Sequence, residues 1–210
     1  MNFTDSHVEK YLYSILPKRG TVLAEMEKYA KRHKVPIVGP AVGRMLAQLV
    51  ELVGARRIFE LGSAIGYSTI WMARAAGPGA EVHYTDGNPA NAQRAQSYID
   101  RAGVSDRVRV HVGDALEHLA STTGEFDLIF NDVDKHQYPE VFHKAVSRVR
   151  SGGLFITDNT LWSGRVARKA KPNDRNTRAI QQFNRLCYSS KDLFPVLIPL
   201  RDGVLVCRKR

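Results

Sequence analysis

The chain has 210 residues, 43% of them hydrophobic and 25% charged, enough apolar side chain to bury a core, and its longest apolar runs, such as Phe126 to Phe130, fall far short of a membrane span. Thirty-one Lys plus Arg against 21 Asp plus Glu leave a formal charge of +10, which serves solubility or marks an anionic partner such as RNA, an acyl-CoA or a membrane surface. Only Cys187 and Cys207 occur, in no CxxC pair, so neither a disulfide framework nor a zinc site is indicated and a reducing cytoplasm is expected. The polar stretch Met1 to Lys10 lacks the apolar segment of a signal peptide.

Residues 1–56 read as a helical entry region. Thr4, Asp5 and Ser6 offer N-caps, Thr21 to Arg32 is a helical stretch, and Pro40 to Gly54 repeats Met45, Leu46, Leu49, Val50 and Val53 at helical spacing. From Arg57 the pattern changes. Short apolar runs predict strands at Arg57–Leu61, Glu81–Thr85, Val108–Val112, Phe126–Asn131 and Leu154–Thr157. Helical patterns lie between them at Ser68–Ala76, Pro89–Ala102, Ala115–Ala120 and Tyr138–Arg150. Such alternation implies βαβ units and a mostly parallel sheet with helices on both faces. A last helix, Thr177 to Tyr188, precedes the runs Phe194–Leu200 and Val204–Arg208, whose short link Arg201-Asp202-Gly203 predicts an antiparallel hairpin at one sheet edge. The expectation is an α/β, doubly wound, Rossmann-like sheet in a single domain, 1–210, with residues 57–210 as its core.

Ligands of such sheets lie outside the carboxyl ends of the strands. The first strand ends in Glu60-Leu61-Gly62-Ser63-Ala64-Ile65-Gly66-Tyr67-Ser68. Its G-x-x-x-G spacing differs from the G-x-G-x-x-G that seats a pyrophosphate; it suits a nucleoside without phosphates or forms a plain βα turn. Thr85-Asp86 ends the second strand; Asp86 either accepts from ribose hydroxyls or caps the helix beginning at Pro89. Gly113-Asp114-Ala115 ends the third, where Asp114 caps a helix, the segment faces an adenine edge, or both. The fourth strand runs into Asn131-Asp132-Val133-Asp134-Lys135 and the fifth into Asp158-Asn159. Asp132, Asp158 and Asn159 should therefore share one rim, an oxygen-rich set suited to Mg²⁺, Mn²⁺ or Ca²⁺, although acids at strand ends also serve as caps and surface charges.

These motifs resemble the cation-dependent O-methyltransferases that use S-adenosylmethionine (SAM), the group containing catechol and caffeoyl-CoA O-methyltransferases and small bacterial relatives. The likeness runs from about Pro36 to the C-terminus. It is carried by Glu60 to Ser68, Gly113 to Ala115, Asp132-Val133-Asp134-Lys135 with Tyr138, Asp158-Asn159-Thr160-Leu161-Trp162, Thr177 to Ile180 with Phe183-Asn184, and Asp202-Gly203. The resemblance implies SAM contacts from Val38, Glu60, Gly62, Ser63, Ser68, Asp86, Ala115 and Asp134. It implies metal ligation, Mg²⁺ above all, by Asp132, Asp158 and Asn159, acceptor contacts from Asp132, Trp162 and Ser163, and a homodimer through the N-terminal helices. Lys135, beside the dication, would accept the hydroxyl proton as a neutral amine. Asp86 stands where many relatives have Glu, Asn131 where an aliphatic residue is usual, and the N-terminal extension is short beside that of plant enzymes.

The acceptor implied is a phenolic or catechol-like small molecule or its acyl-CoA ester. A second reading is 5-hydroxyuridine in tRNA, favoured by the four cations of the 165–171 loop, Arg165, Arg168, Lys169 and Lys171, which phosphate contacts require; a solvated loop is the plain alternative. A non-catalytic SAM-binding module is a third reading, opposed by the presence of Asp132, Lys135, Asp158 and Asn159 together.

Overall fold

Helices of amphipathic spacing open the computed structural model, which describes residues 6–210. Thr4 and Asp5, expected as caps, lie outside the described residues. The helices are α1 (Ser6–Ser14), α2 (Thr21–His33) and α3 (Gly39–Val53). The α3 helix begins with Pro40 in its first turn and ends on Gly54 at φ 63°, the Pro-in, Gly-out asymmetry of a well-bounded helix.

The alternating segment forms β1 (Arg57–Leu61), α4 (Tyr67–Ala76), β2 (Glu81–Asp86), α5 (Pro89–Arg101), β3 (Val108–Val112), α6 (Ala115–Ser121), β4 (Phe126–Asn131), α7 (Tyr138–Ala145), β5 (Val149–Thr157), α8 (Arg175–Ser189), β6 (Leu193–Ile198) and β7 (Val204–Lys209). Among the described residues the sheet has seven strands in the order β3-β2-β1-β4-β5-β7-β6. The first five pair in parallel and β7 runs antiparallel to both β5 and β6. The doubly wound sheet with a closing hairpin is thus present.

Each central strand is buried on both faces, as parallel strands covered by helices must be. Ile58, Val82 and Leu128 pack with Val42, Leu46 and Ile70 on the α3–α4 side. Phe59, Ile129 and Phe155 pack with Leu116, Val141 and Phe183 on the α6–α8 side.

Several boundaries differ from expectation, and one expected disturbance does not occur. The helix after β4 stops at Ala145, and β5 begins at Val149, five residues before Leu154. The strand runs through Gly152-Gly153: a Cβ on Gly153 would stand 2.7 Å from the Asp127 carbonyl oxygen, so only glycine allows β5 to lie against β4 there. The last helix starts at Arg175 because Asp174 caps it, accepting from the Thr177 amide at 3.0 Å and its hydroxyl at 2.6 Å. Asn131 does not disturb the end of β4; it pairs with Thr157 in register, and its amide lies 3.4 Å from the Thr157 hydroxyl.

The strand order reverses between β1, which leads back to β2, and β4. A crevice opens at the carboxyl ends on either side of such a switch.

Candidate active site

The turn after β1 passes flush against the end of β4. Gly62 has φ 82°, and a Cβ there would meet the Asp132 carbonyl oxygen at 2.8 Å, so glycine is required twice, by dihedral and by space. Behind this turn Glu60 is fully buried and accepts from the hydroxyls of Ser68 and Thr69 at the start of α4. Burial pushes its carboxyl up to about 7, opposed by those hydroxyls and that of Ser63. The Asp132 amide bonds to the Leu61 carbonyl at 2.8 Å, and the Ser63 amide to the Thr85 carbonyl at 2.9 Å. The ladder thereby continues past the strand ends and fixes three turns to one another.

At β2 the two readings of Asp86 separate. Asn88 caps α5, accepting from the Ala90 amide at 2.9 Å. Asp86 Oδ1 accepts from the Asn88 amide at 2.8 Å and Asn91 Nδ2 at 3.1 Å, leaving Oδ2 for a ligand. At β3, Asp114 is a cap: its Oδ1 accepts from the amides of Leu116 at 2.8 Å and Glu117 at 3.0 Å.

The ends of β4 and β5 carry the charge. Lys135 Nζ donates to Asp132 Oδ1 at 2.7 Å and to the Val133 carbonyl at 3.2 Å, and lies 5.3 Å from the Tyr138 ring centre. The Tyr138 hydroxyl donates to the Asp158 carbonyl at 2.8 Å. Asp158 is buried, and its Oδ1 has no hydrogen-bond partner. Burial first, and the charge of Asp132 second, push its carboxyl up to about 7; Asp132 is likewise raised by burial, against the pull of Lys135. Two acids that repel each other, Asp132 half-buried and held by Lys135, Asp158 buried with an orphaned oxygen, concentrate negative charge at this end of the sheet.

The loop after β5 takes its shape from the hairpin. Thr160 and Leu161 amides bond to the Gly203 and Asp202 carbonyls at 2.9 and 2.8 Å, and the Ser163 amide donates to the Asp202 carboxylate. Asn159, Trp162 and Ser163 all adopt positive φ, between 47° and 56°. Gly203 admits the loop closely; a Cβ on it would stand 2.5 Å from Leu161 Cγ.

All these elements border one cavity of about 1520 Å³. The ends of β1 to β3 line it with Gly62, Asp86, Gly87 and Gly113 to Leu116, and the segments after β4 and β5 with Asp132, Asp134, Lys135, Asp158, Asn159 and Trp162. The sequence pattern of the O-methyltransferase family matches residues 15–210. The chain belongs to that family. It is 40% identical over 133 residues to a catechol O-methyltransferase of Niastella koreensis, a match covering 61% of this chain and 60% of that one. It is 28% identical over 209 residues to a caffeoyl-CoA O-methyltransferase of Petroselinum crispum, covering 93% and 87%. The chain therefore spans about three fifths of the length of the catechol relative. Among solved structures, an O-methyltransferase from Bacillus cereus in complex with SAH aligns over 100% of both chains, with a TM-score of 0.89 and 31% identity. TomG from Streptomyces achromogenes, in complex with SAM, aligns over 97% of this chain and 96% of its own, with a TM-score of 0.87 and 29% identity.

Of the residues expected to serve an O-methyltransferase, Gly62, Asp86, Ala115, Asp132, Asp134, Lys135, Asp158, Asn159 and Trp162 line the cavity. Val38, Glu60, Ser63 and Ser68 lie buried behind its wall, and Ser163 sits on the kinked loop beside it. The roof lies outside the expected set. Arg19 pairs with Glu27 through two bonds of 2.7 Å, Glu27 accepts from the Tyr67 hydroxyl at 2.7 Å, and Tyr13 and Arg201 complete the rim. No local motif marks these residues; the Arg201-Asp202-Gly203 turn is legible in the sequence only as a hairpin link. Among the described residues no three His, Cys, Asp or Glu side chains converge as a metal group. The donor set here is two carboxylates and an amide.

Proposed function

We propose that this chain is a SAM-dependent O-methyltransferase that acts on a hydroxyl of a phenolic or catechol-like small molecule, or of its acyl-CoA ester, and requires a divalent cation. The observation that carries this reading is the meeting of two residue sets in one cavity: glycine turns with a half-free Asp86, and the Asp132–Asp158 pair, Asp158 buried, with Lys135. The similar structures in complex with SAH and SAM support SAM as the methyl donor.

Asp86 Oδ2 would receive the ribose hydroxyls, the Ala115 backbone the adenine edge, and Asp134 the methionyl amino group. Glu60, with Ser63 and Ser68 around it, would hold the Gly62 turn rigid beneath the sulfonium, and Val38 would pack under the methionine chain. Asp132, Asp158 and Asn159 fit a hard cation, because the orphaned Asp158 oxygen and the repulsion between the two acids are both relieved by it. Mg²⁺ is the first choice, with Mn²⁺ or Ca²⁺ as alternatives; bound there, the ion would acidify and orient the acceptor hydroxyl. With Asp132 turned to the cation, Lys135 in its neutral amine form would accept the hydroxyl proton at Nζ. The O–CH₃ bond forms as the S–CH₃ bond breaks, and SAH leaves as the neutral thioether. Trp162 offers an aromatic face to the acceptor ring, with Ser163 beside it, and holding the two reactants in line supplies much of the rate.

The test is transfer of labelled methyl from SAM to a panel of catechols, with EDTA and then with added Mg²⁺. Loss and recovery of turnover are expected. Full activity in metal-free protein overturns the cation requirement, and SAM binding without transfer to any acceptor makes the chain a binding module.

A second reading, methylation of tRNA hydroxyuridine, is favoured by a shallow basic hollow of about 630 Å³ that Arg168, Lys169, Arg178 and Arg185 border. Affinity for tRNA that falls steeply with salt would support it. We further infer a homodimer, in the cytoplasm. Val8, Tyr11 and Ile15 leave apolar surface exposed on and just beyond α1, and Cys187 and Cys207 are free. Light scattering at the monomer mass would refute the dimer.

A further inference from the structure

Arg201 occupies the turn between β6 and β7 at φ 51°, a left-handed conformation that L-residues other than Asn and Asp rarely adopt. Such strain persists only where the surroundings over-determine it. Here two contacts do so. Nη1 donates to the Ile37 carbonyl across the cavity rim at 2.9 Å. The guanidinium also lies against Gly39, where an added Cβ would stand 3.1 Å from Nη1 and 3.5 Å from the Tyr13 hydroxyl. Gly39, itself at φ 73°, leaves open the slot through which Arg201 reaches the cavity.

The charge delivered there is not cancelled by these contacts. Arg19 is held by the Glu27 carboxylate and Lys135 by that of Asp132, whereas the Ile37 carbonyl is neutral. Arg201 lines the cavity together with Asp158, Asn159 and Trp162. The guanidinium fork matches a carboxylate at two points, and a single bond to Ile37 leaves donors over for that purpose.

We propose that Arg201 is a specificity-determining residue that binds the carboxylate of a hydroxylated aromatic acid, so that the preferred acceptor carries an anionic tail as well as ring hydroxyls. This rests on the methyl-transfer reading of the same cavity and narrows its acceptor class. A neutral catechol would use the metal wall and Trp162 but draw nothing from the exposed Arg201 guanidinium.

The experiment compares 3,4-dihydroxybenzoate and 3,4-dihydroxycinnamate, which carry the carboxylate at two distances, with their methyl esters, using SAM and Mg²⁺. For the better-fitting acid, kcat/KM should exceed that of its ester by about tenfold or more, chiefly through KM. Arg201→Gln should reduce that ratio about tenfold, and Arg201→Lys should restore part of it. Calorimetric binding of the same acids and esters to the SAH- and Mg²⁺-loaded protein should follow the same order. If Arg201 only balances the acid pair, Arg201→Gln slows acids and esters alike, and the proposal is overturned. If no acceptor is methylated at all, the methyl-transfer reading fails, while calorimetry still decides whether Arg201 holds the carboxylate.

Discussion

Asp158→Asn should separate stability from function in one substitution. The side chain is 3% exposed, and the change keeps its shape while removing its charge. In metal-free protein, burial and the neighbouring Asp132 raise its carboxyl from the ordinary 3.8 to about 7. A group with a raised folded pKa binds more protons folded than unfolded between those values, so stability falls as pH rises through that window and is level above it. At about 1.4 kcal/mol for each pH unit of that window, ionised Asp158 costs the metal-free fold on the order of 4 kcal/mol above pH 7, and roughly 2 kcal/mol near pH 5. Asp158→Asn should therefore stabilise the protein in EDTA, with a gain that grows by about 2–3 kcal/mol between these pH values. Urea titrations of both proteins at pH 5 and pH 8, in EDTA, measure it. The same variant should lose methyl transfer and Mg²⁺ binding. A variant less stable than wild type at pH 8, or equally stabilised at both pH values, would refute the account of Asp158 as a buried charge awaiting a cation.

Asp86→Ala should weaken SAH binding by about 1.5–3 kcal/mol in calorimetry, the worth of a hydrogen bond to a charged group; unchanged affinity would remove the ribose from Asp86. Gly62→Ala should cost about 2–4 kcal/mol in urea unfolding, because the new methyl meets the Asp132 carbonyl at 2.8 Å in a left-handed turn, and a loss under about 1 kcal/mol would contradict that. His83 is held below its ordinary pKa by burial, so the unfolded chain takes up its proton first and the His83 contribution to stability should decline as pH falls below about 6.5, against the opposite trend from Asp158. His83→Phe should therefore make the protein gain more stability than wild type between pH 6.5 and pH 5 in urea titrations; an unaltered slope would show that His83 does not contribute to it.

The strands of the cofactor side were legible because each is a short apolar run bounded by glycine or acid. β1 and β3 begin and end where the pattern places them, and β2 runs one residue further, to Asp86. The facing of Asp132 and Asp158 was also legible, since β4 and β5 are adjacent parallel strands whose ends pair Asn131 with Thr157. Single-residue roles were not. Asp86 and Asn88 are equally plausible caps on paper, and only the bond from Ala90 to Asn88 frees Asp86 for a ligand. The first half of β5 was hidden because Gly152-Gly153 looks like a turn until the Asp127 carbonyl is seen against it. The Arg19–Glu27–Tyr67 roof and the reach of Arg201 to Ile37 join residues 40 and 164 positions apart, and no local spacing encodes such pairs.

The acceptor loop and the hairpin tip form one unit. Asn159, Trp162 and Ser163 sit in dihedrals that cost L-residues about 1 kcal/mol each, and what retains them is the backbone and carboxylate of Asp202 with the carbonyl of Gly203. Retargeting by loop exchange will therefore be epistatic. A foreign 159–163 segment grafted alone inherits a hairpin shaped for a different backbone, and a side chain at 203 collides with Leu161. Libraries that vary 159–163 together with 201–203, while keeping glycine at 203, sample whole acceptor walls; libraries that vary either segment alone mostly sample broken ones.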